Sequence, residues 1–286
     1  MSVNYPRRLA ITTAVFLSLL ALASMVAANP VVFSGAGPNP ADPNLLAAIN
    51  GFRAQLGALN PNVAGSFGSG RREINWDGVP DGFSAPNNLP ANFFNVNSPR
   101  GAVFSTPGTG FQVSSTAAVG NIEFDNINPT YSGQFQTFSP QRLFTAIGSN
   151  ILDVTFFIPG SNTAATVSGF GSVFTDVELA NITSIQFFDQ NNVSLDTFFA
   201  PTSGNTGLSF LGVFFNAGER ISRVRITNGN AALGPNENLP GIDLVVMDDF
   251  IYGEPNVIPE PTTIVLLGTG LAGIAAGLRR RRDGNK

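Results

Sequence analysis

The sequence predicts an all-β protein folded as a two-sheet, jelly-roll-like sandwich. Gly (31 residues) and Pro (20) punctuate the 286-residue chain, and both favour turns between short elements. Phe (25) far outnumbers Tyr (3) and Trp (1), as expected of short aromatic-rich strands. A hydrophobic share of 43% with 12% charged residues supports a packed core, because disorder needs low hydrophobicity and high net charge.

The chain contains neither cysteine nor histidine. The fold must therefore hold without disulfides, and thiol catalysis and thiolate metal sites are excluded. The lack of histidine also removes the commonest general base, the Ser-His-Asp triad and histidine-based metal sites. Between Asn29 and Pro261, eight arginines face eighteen acidic residues, which leaves a net charge of −10 and disfavours nucleic-acid binding.

Residues 1–28 have the pattern of a secretory signal peptide. Arg7 and Arg8 precede an apolar run over 9–26, and small residues lead up to Asn29. We expect signal peptidase to cleave between Ala28 and Asn29. An uncleaved membrane helix stays open as the alternative, because the apolar run is longer than usual for a signal peptide.

Residues 29–72 form an Asn/Pro/Gly-rich segment with one predicted helix over 45–56. Asp42 is the expected N-cap, Pro43 fits the first turn and Gly57 can end the helix. We expect the helix to pack on the main domain, with partner binding as the alternative. Its apolar residues recur at three-to-four spacing, at Leu45, Leu46, Ile49, Phe52 and Leu56.

Residues 73–253 are expected to form the β-sandwich domain, because short apolar runs alternate there with turn residues. Asp189-Gln190-Asn191-Asn192 is a hairpin signal between two such runs. The expected strands cover residues 73–76, 102–104, 110–114, 120–124, 135–138, 151–158, 166–177, 184–189, 194–200, 209–215, 221–227 and 242–252.

Residues 254–286 combine three features of a sorting segment. Pro259, Glu260 and Pro261 come first, and the two prolines keep the segment extended. The apolar run 262–278 would span about 26 Å as a helix, near the lower limit for a single transmembrane crossing. Four arginines then hold the tail on the cytoplasmic side, which places the preceding domain outside. They are Arg279, Arg280, Arg281 and Arg282.

This order of motif, apolar stretch and arginine cluster resembles the PEP-CTERM sorting signal of Gram-negative bacteria. The resemblance implies an exosortase as processing partner and removal of the tail. It also implies that the precursor is anchored in the inner membrane and that the protein is then located at the cell surface or outside the cell. Such proteins are commonly associated with exopolysaccharide, biofilm or floc matrix. The stretch 167–253 is similar to the distal half of β-sandwich domains in exported bacterial proteins, which has architectural implications only. Its carriers are FGSVFTDV (170–177), SIQFFD (184–189), FLGV (210–213), VRI (224–226) and MDDF (247–250).

The acidic residues suggest structural calcium as the only cofactor. Asp77 follows the first expected strand and Asp248 and Asp249 lie in the last, and carboxylates are calcium ligands. The alternative is that Asp77 is a simple turn residue and that Asp248 lies at a solvated strand end. Trp76 is either a sugar-stacking platform or a partly buried strand aromatic beside Ile74.

The expected function is non-enzymatic: an exported structural or adhesive protein of the cell surface or matrix, with exopolysaccharide as a candidate partner. A carbohydrate-binding module is the alternative. A glycan-active hydrolase with paired carboxylates comes third, because nothing in the sequence assigns two acids to facing positions. The acids available to it are Asp77, Asp81, Asp176, Glu178, Asp243, Asp248 and Asp249.

Overall fold

The computed structural model describes residues 30–120, 122–218, 220–234, 240–258 and Gly270. Helices α1 (Pro43–Leu56) and α2 (Phe93–Val96) accompany the strands, together with 3-10 turns at Asp81–Phe83 and Tyr131–Gly133. The strands are β1 (Val31–Gly37), β2 (Arg71–Ile74), β3 (Ala102–Ser105), β4 (Gly110–Val113), β5 (Phe144–Ile147), β6 (Ile151–Phe156), β7 (Ala165–Thr166), β8 (Gly169–Thr175), β9 (Ser184–Phe188), β10 (Ser194–Phe199), β11 (Leu208–Phe214), β12 (Arg223–Thr227), β13 (Val246–Gly253) and β14 (Asn256–Val257).

Two antiparallel sheets form the body of the molecule, which confirms the all-β prediction. A seven-stranded sheet has the order β1-β11-β8-β13-β5-β4, with β2 also paired to β13. A five-stranded sheet has the order β10-β9-β12-β6-β3, and β14 pairs with β7 apart from both. From β5 to β13 the chain alternates between the two large sheets, except at the β9–β10 hairpin and the short β7.

The main core lies between the two sheets and is rich in aromatic rings. Phe104 and Phe156 contribute from the five-stranded sheet, and Phe170 and Phe250 from the seven-stranded sheet. Trp76 lies among them at 1% exposure, after the end of β2 rather than within it, and donates its indole N–H to the Asp248 carbonyl at 2.9 Å. Its full burial means that the sugar-platform interpretation of Trp76 is wrong.

Helix α1 packs on the main domain, as predicted, and the structure shows that it covers the outer face of the seven-stranded sheet. The Asp42 carboxylate accepts the backbone N–H groups of Asn44 and Leu45 at 2.8 and 3.2 Å, which satisfies donors that the first turn leaves free. The helix ends at Gly57, whose φ of 96° is accessible to glycine at no steric cost. Its buried side chains pack on Val173, Phe210 and others from β8, β11 and β13.

Two facing glycines allow this helix to approach the sheet closely. Gly171 in β8 lies directly opposite Gly212 in β11. A Cβ added to Gly212 would lie 2.9 Å from the Phe52 ring of α1 and 2.8 Å from the Phe210 ring. The space above the glycine pair is thus filled by aromatic side chains.

Two predicted strands are wrong. Segments 120–124 and 135–138 form loops and turns within the described residues, and their aromatic residues Phe124 and Phe135 fill a separate cluster with Leu143 and Val246. The Gln136 backbone N–H donates to the Thr175 hydroxyl at the end of β8 and not to a backbone carbonyl of a strand. Their aromatic pattern therefore reflected burial without a β-ladder.

Three strands were not expected from the sequence: β1, β5 and β14. β1 was hidden by its composition, because two of its seven residues are glycine. A Cβ on Gly35 would lie 2.4 Å from the Asn44 carbonyl oxygen at the start of α1, so the glycine permits the helix to cross close by. Within the described ranges, no helix has the length and apolarity that a bilayer crossing requires. The predicted signal peptide 1–28 and the predicted transmembrane run 262–278 lie outside those ranges, apart from Gly270.

Candidate functional sites

The structure brings Asp248 and Asp249 together near the start of β13. The register of β13 against β8 shifts between Met247 and Phe250, and such a bulge lets neighbouring side chains point the same way. Both residues are buried, at 0% and 3% exposure. The pair therefore lies inside the protein rather than at a solvated strand end.

Ser139 connects the two carboxyl groups. Its Oγ lies 3.2 Å from Asp248 Oδ1 and 2.8 Å from Asp249 Oδ1. A serine hydroxyl has a single proton to donate, so hydrogen bonds at both contacts require a proton on one carboxyl. The backbone N–H groups of Phe138 and Ser139 donate to Asp248 Oδ2 at 2.6 and 3.2 Å. One loop thus supplies several donors to the pair.

Burial dominates the electrostatics of this pair. It raises the pKa of Asp249 to about 6, against the lowering effect of hydrogen bonds from Ser139 and Asp248 and of the Arg53 charge. Burial, followed by the charge of Asp249, raises the pKa of Asp248 well above its ordinary value. The Arg53 guanidinium lies 3.5 Å from Asp249 Oδ2 and gives the pair one cationic neighbour.

Asp77 joins the same loop at its other side. Its Oδ1 accepts the backbone N–H of Gln141 at 2.5 Å. Burial raises the pKa of Asp77, against the lowering effect of backbone hydrogen bonds from Gln141 and Arg142. The three acids named as calcium ligands therefore surround one loop, 138–141. Among the described residues, no group of three or more carboxylates has the arrangement of a metal site, and calcium stays a prediction.

Three other acids considered for catalysis serve as hydrogen-bond acceptors elsewhere, and the first of them, Asp81, accepts from the Arg142 guanidinium at 2.6 Å. Asp176 accepts from the Gln134 side chain and the Thr206 backbone, both at 2.8 Å. Asp243 accepts the backbone N–H groups of Glu178 and Leu179 at 3.2 and 3.1 Å. Asp248 and Asp249 are a pair whose side chains interact directly, and their burial separates them from a glycan at the surface.

The outer face of the five-stranded sheet carries a charged cluster that the sequence reasoning missed. Arg225 forms a bidentate pair with Asp153 at 2.8 and 2.9 Å, and Arg223 donates to the same carboxylate at 3.0 Å. Arg223 also lies 3.7 Å above the Phe188 ring centre. The alternation of charged and apolar residues in β12 was the available signal for this face.

The chain leaves the sandwich through a buried ion pair. Arg72 and Glu254 are both fully buried, and their two hydrogen bonds measure 2.7 and 2.8 Å. Glu254 accepts further hydrogen bonds from Asn60 at 2.7 Å and from the Phe67 backbone at 3.2 Å. The short strand β14 follows at once, so the fold extends to residue 257.

The residues that follow this exit match a known family. The family described as the PEP-CTERM protein-sorting motif matches residues 257–282. The chain carries a PEP-CTERM sorting motif. The PEP-CTERM motif marks an exported protein that an exosortase processes from a membrane-anchored precursor. Neither a curated protein nor a solved structure matches the chain significantly.

The PEP-CTERM match contains the sorting residues named from the sequence. Pro259, Glu260 and Pro261 fall inside it, and so do the four arginines at 279–282. All seven lie outside the described residues, as does the expected signal cleavage site at Ala28 and Asn29. The match begins at Val257, which is already the last residue of β14.

Proposed function

We propose that this protein is an exported structural or adhesive component of the cell surface or extracellular matrix, associated with exopolysaccharide and delivered by an exosortase. The observation that carries the proposal is the PEP-CTERM motif at 257–282 directly behind a folded β-sandwich. A sorting signal without an intervening linker suits a domain that is itself the cargo. The predicted signal peptide 1–28 would bring the chain to the export machinery.

The architecture of the cargo supports this proposal. The seven-stranded sheet contains the order β5-β13-β8-β11 and the five-stranded sheet the order β6-β12-β9-β10. This order, with alternation between sheets, is that of an eight-stranded jelly roll, an architecture shared by capsid and lectin domains. The fold by itself implies no activity.

The buried state of the paired carboxylates favours a non-enzymatic role. A retaining or inverting glycosidase needs two carboxyl groups on opposite sides of an accessible bond. Asp248 and Asp249 are adjacent and buried, and their oxygens accept hydrogen bonds from the loop at Ser139.

The test is the location of the protein relative to the polysaccharide. Wild-type cells with an exosortase should release the protein into the extracellular polysaccharide fraction. The Glu260→Ala variant should remain in the inner membrane, because processing is blocked while insertion is not. Deletion of Arg279–Arg282 should instead impair membrane retention or orientation during export, because these charges hold the cytoplasmic end. Equal recovery of all three proteins in the polysaccharide fraction would refute the proposal.

A carbohydrate-binding module is the second candidate, and the open face of the five-stranded sheet favours it. Phe199 is 46% exposed there, and Gln186 and Arg225 are opposite each other on adjacent strands. A module should bind a polysaccharide array saturably and lose that binding with Phe199→Ala or Gln186→Ala. The matched control is Val32→Ala, an exposed apolar residue on the edge strand β1 of the seven-stranded sheet. If the wild type bound no polysaccharide on a broad array, this candidate function would be refuted.

A further inference from the structure

We propose that the end of the sandwich from which the chain runs into the sorting motif is a lipid-docking surface that rests on the outer leaflet of the membrane holding the precursor. This exit surface consists of loop 58–70 and strand β14. The proposal rests on the membrane-anchored precursor of the proposed function and adds a second contact between the folded domain and the bilayer.

Loop 58–70 is fastened directly to the departing chain. The Glu254 backbone N–H donates to the Gly70 carbonyl at 2.9 Å, and the Asn60 side chain donates to Glu254 Oε2 at 2.7 Å. Ser66 Oγ and the Asn256 side chain are 2.7 Å apart. The loop and the strand therefore form one surface at the chain exit.

This surface exposes apolar side chains. Leu59, Val63, Phe67 and Val257 are 55%, 49%, 48% and 60% exposed. They make up four of the eleven large hydrophobic residues that are exposed within the described part of the chain, although the loop and strand form only a small part of it. A concentration of exposed apolar residues marks an interaction surface more than single scattered ones do.

The charged groups at this end do not oppose contact with lipid. Within the described part of the chain, Glu254 is the acid at the exit, and it is buried and paired with Arg72. Arg71 is paired with Glu73 at 2.6 Å. The Arg72 guanidinium also lies 5.2 Å from the centre of the Phe67 ring, which holds that ring in place at the surface.

The length of chain between the fold and the anchor keeps the exit surface near the bilayer. Only Pro259, Glu260 and Pro261 separate Ile258 from the apolar run that begins at Thr262. Four extended residue steps span at most about 14 Å, and the polar layer on one side of a bilayer is about 5–7 Å thick. The domain is therefore held within about 10 Å of the lipid headgroups.

The N-terminal end of the described chain also supports this orientation of the domain. Val31 at the start of β1 is paired with Phe214, and Phe214 is paired with Gly169. Gly169 is also beside the end of β13, where Tyr252 pairs with Phe170. The chain thus enters β1, just after the predicted signal peptide, at the same end of the sandwich from which it leaves.

The test uses the full chain without exosortase, reconstituted into phosphatidylcholine vesicles with or without bromine on the acyl chains. Phe67→Trp and Val63→Trp each add an emitting group on the exit surface. The control is Leu179→Trp. The Leu179 backbone N–H donates to Asp243, which precedes β13, whereas the exit follows the end of β13. Position 179 is therefore separated from the exit by the length of β13, about 25 Å. Wild type supplies the background, because Trp76 is buried in the core.

The proposal predicts that brominated lipid quenches most of the emission added at positions 67 and 63 and little of that added at 179. Equal emission of both exit variants in the two lipids, with the protein floating with the vesicles, would overturn this proposal and leave exosortase sorting intact. Equal quenching at all three positions would also overturn it, as unspecific contact. A chain that does not float would overturn both this proposal and the membrane-anchored precursor. Unquenched exit variants, with cleavage by added exosortase reduced in Phe67→Ser, would assign the surface to the enzyme and overturn the lipid contact.

Discussion

The exchange of Glu254 for Gln tests what holds the chain exit together. The change keeps the shape of the side chain but removes the negative charge from a pair in which both partners are fully buried. The Arg72 guanidinium cannot follow into water, because it also donates to the carbonyl groups of Pro61 and Gly65. An uncompensated buried charge of this kind costs about 3–5 kcal/mol.

That cost is large relative to the net stability of about 5–15 kcal/mol typical of a domain. With about 2–4 °C of melting temperature per kcal/mol for a domain of this size, we expect Glu254→Gln to lower the Tm by roughly 6–20 °C. The assay is urea and thermal unfolding of the fragment 29–258, which includes every strand described above. Fluorescence of Trp76, the single tryptophan, reports the opening of the core.

The matched control is Arg225→Gln on the five-stranded sheet. The Arg225 side chain is 42% exposed and shares Asp153 with Arg223, so its loss should cost only about 0–1 kcal/mol. The reasoning would be refuted if Glu254→Gln and Arg225→Gln lowered the stability equally.

Three further predictions concern the carboxyl pair and the helix contact. Burial raises the pKa of Asp249 to about 6 from 3.8, so the folded state binds this proton more tightly than the unfolded state. The proton stabilises the fold fully below about pH 4, and this stabilisation is lost as the pH rises through 6. The loss in free energy of unfolding is about 3 kcal/mol in all. In melting experiments with EDTA, Asp249→Asn should therefore flatten the fall in Tm from pH 4 to 8, and parallel curves would contradict this. Millimolar calcium should raise the Tm at pH 7, since an ion that binds only the folded state stabilises it, and Asp248→Ala should abolish the rise; no shift in wild type would end the calcium hypothesis. Gly212→Ala should cost about 1–3 kcal/mol through overpacking against Phe52, whereas Gly133→Ala, where an added Cβ meets nothing within 4 Å, should cost far less; equal losses in urea unfolding would refute the packing argument.

Local signals explain what could be predicted of the fold. Helix α1 was predicted with both ends because Asp42, Pro43 and Gly57 act on the backbone within a few residues of themselves. Strands such as β9 and β11 were predicted because they pack aromatic and β-branched residues into a short run. β1 was not predicted because its glycines disfavour a strand in the sequence. They are required by the close approach of α1, and that contact exists only in the folded chain.

The same limit applies to the candidate site. The sequence supplied Asp77, Asp248 and Asp249 as acids at the first and last strands, and all three surround loop 138–141. Ser139 could not be found from sequence, because it is 110 residues from Asp249 and resembles any serine in a turn. The burial of the pair was also hidden, since it follows from a bulge in β13.

The mass of the mature C-terminus tests the central claim most directly. The protein is purified from an exosortase-positive host, and its C-terminal peptide is measured by mass spectrometry. Exosortase sorting predicts a chain that ends at or near Pro259-Glu260-Pro261 and has lost residues 262–286. Recovery of the intact arginine tail at 279–282 on protein that remains in the inner membrane would contradict the account, and the segment would then be a permanent anchor.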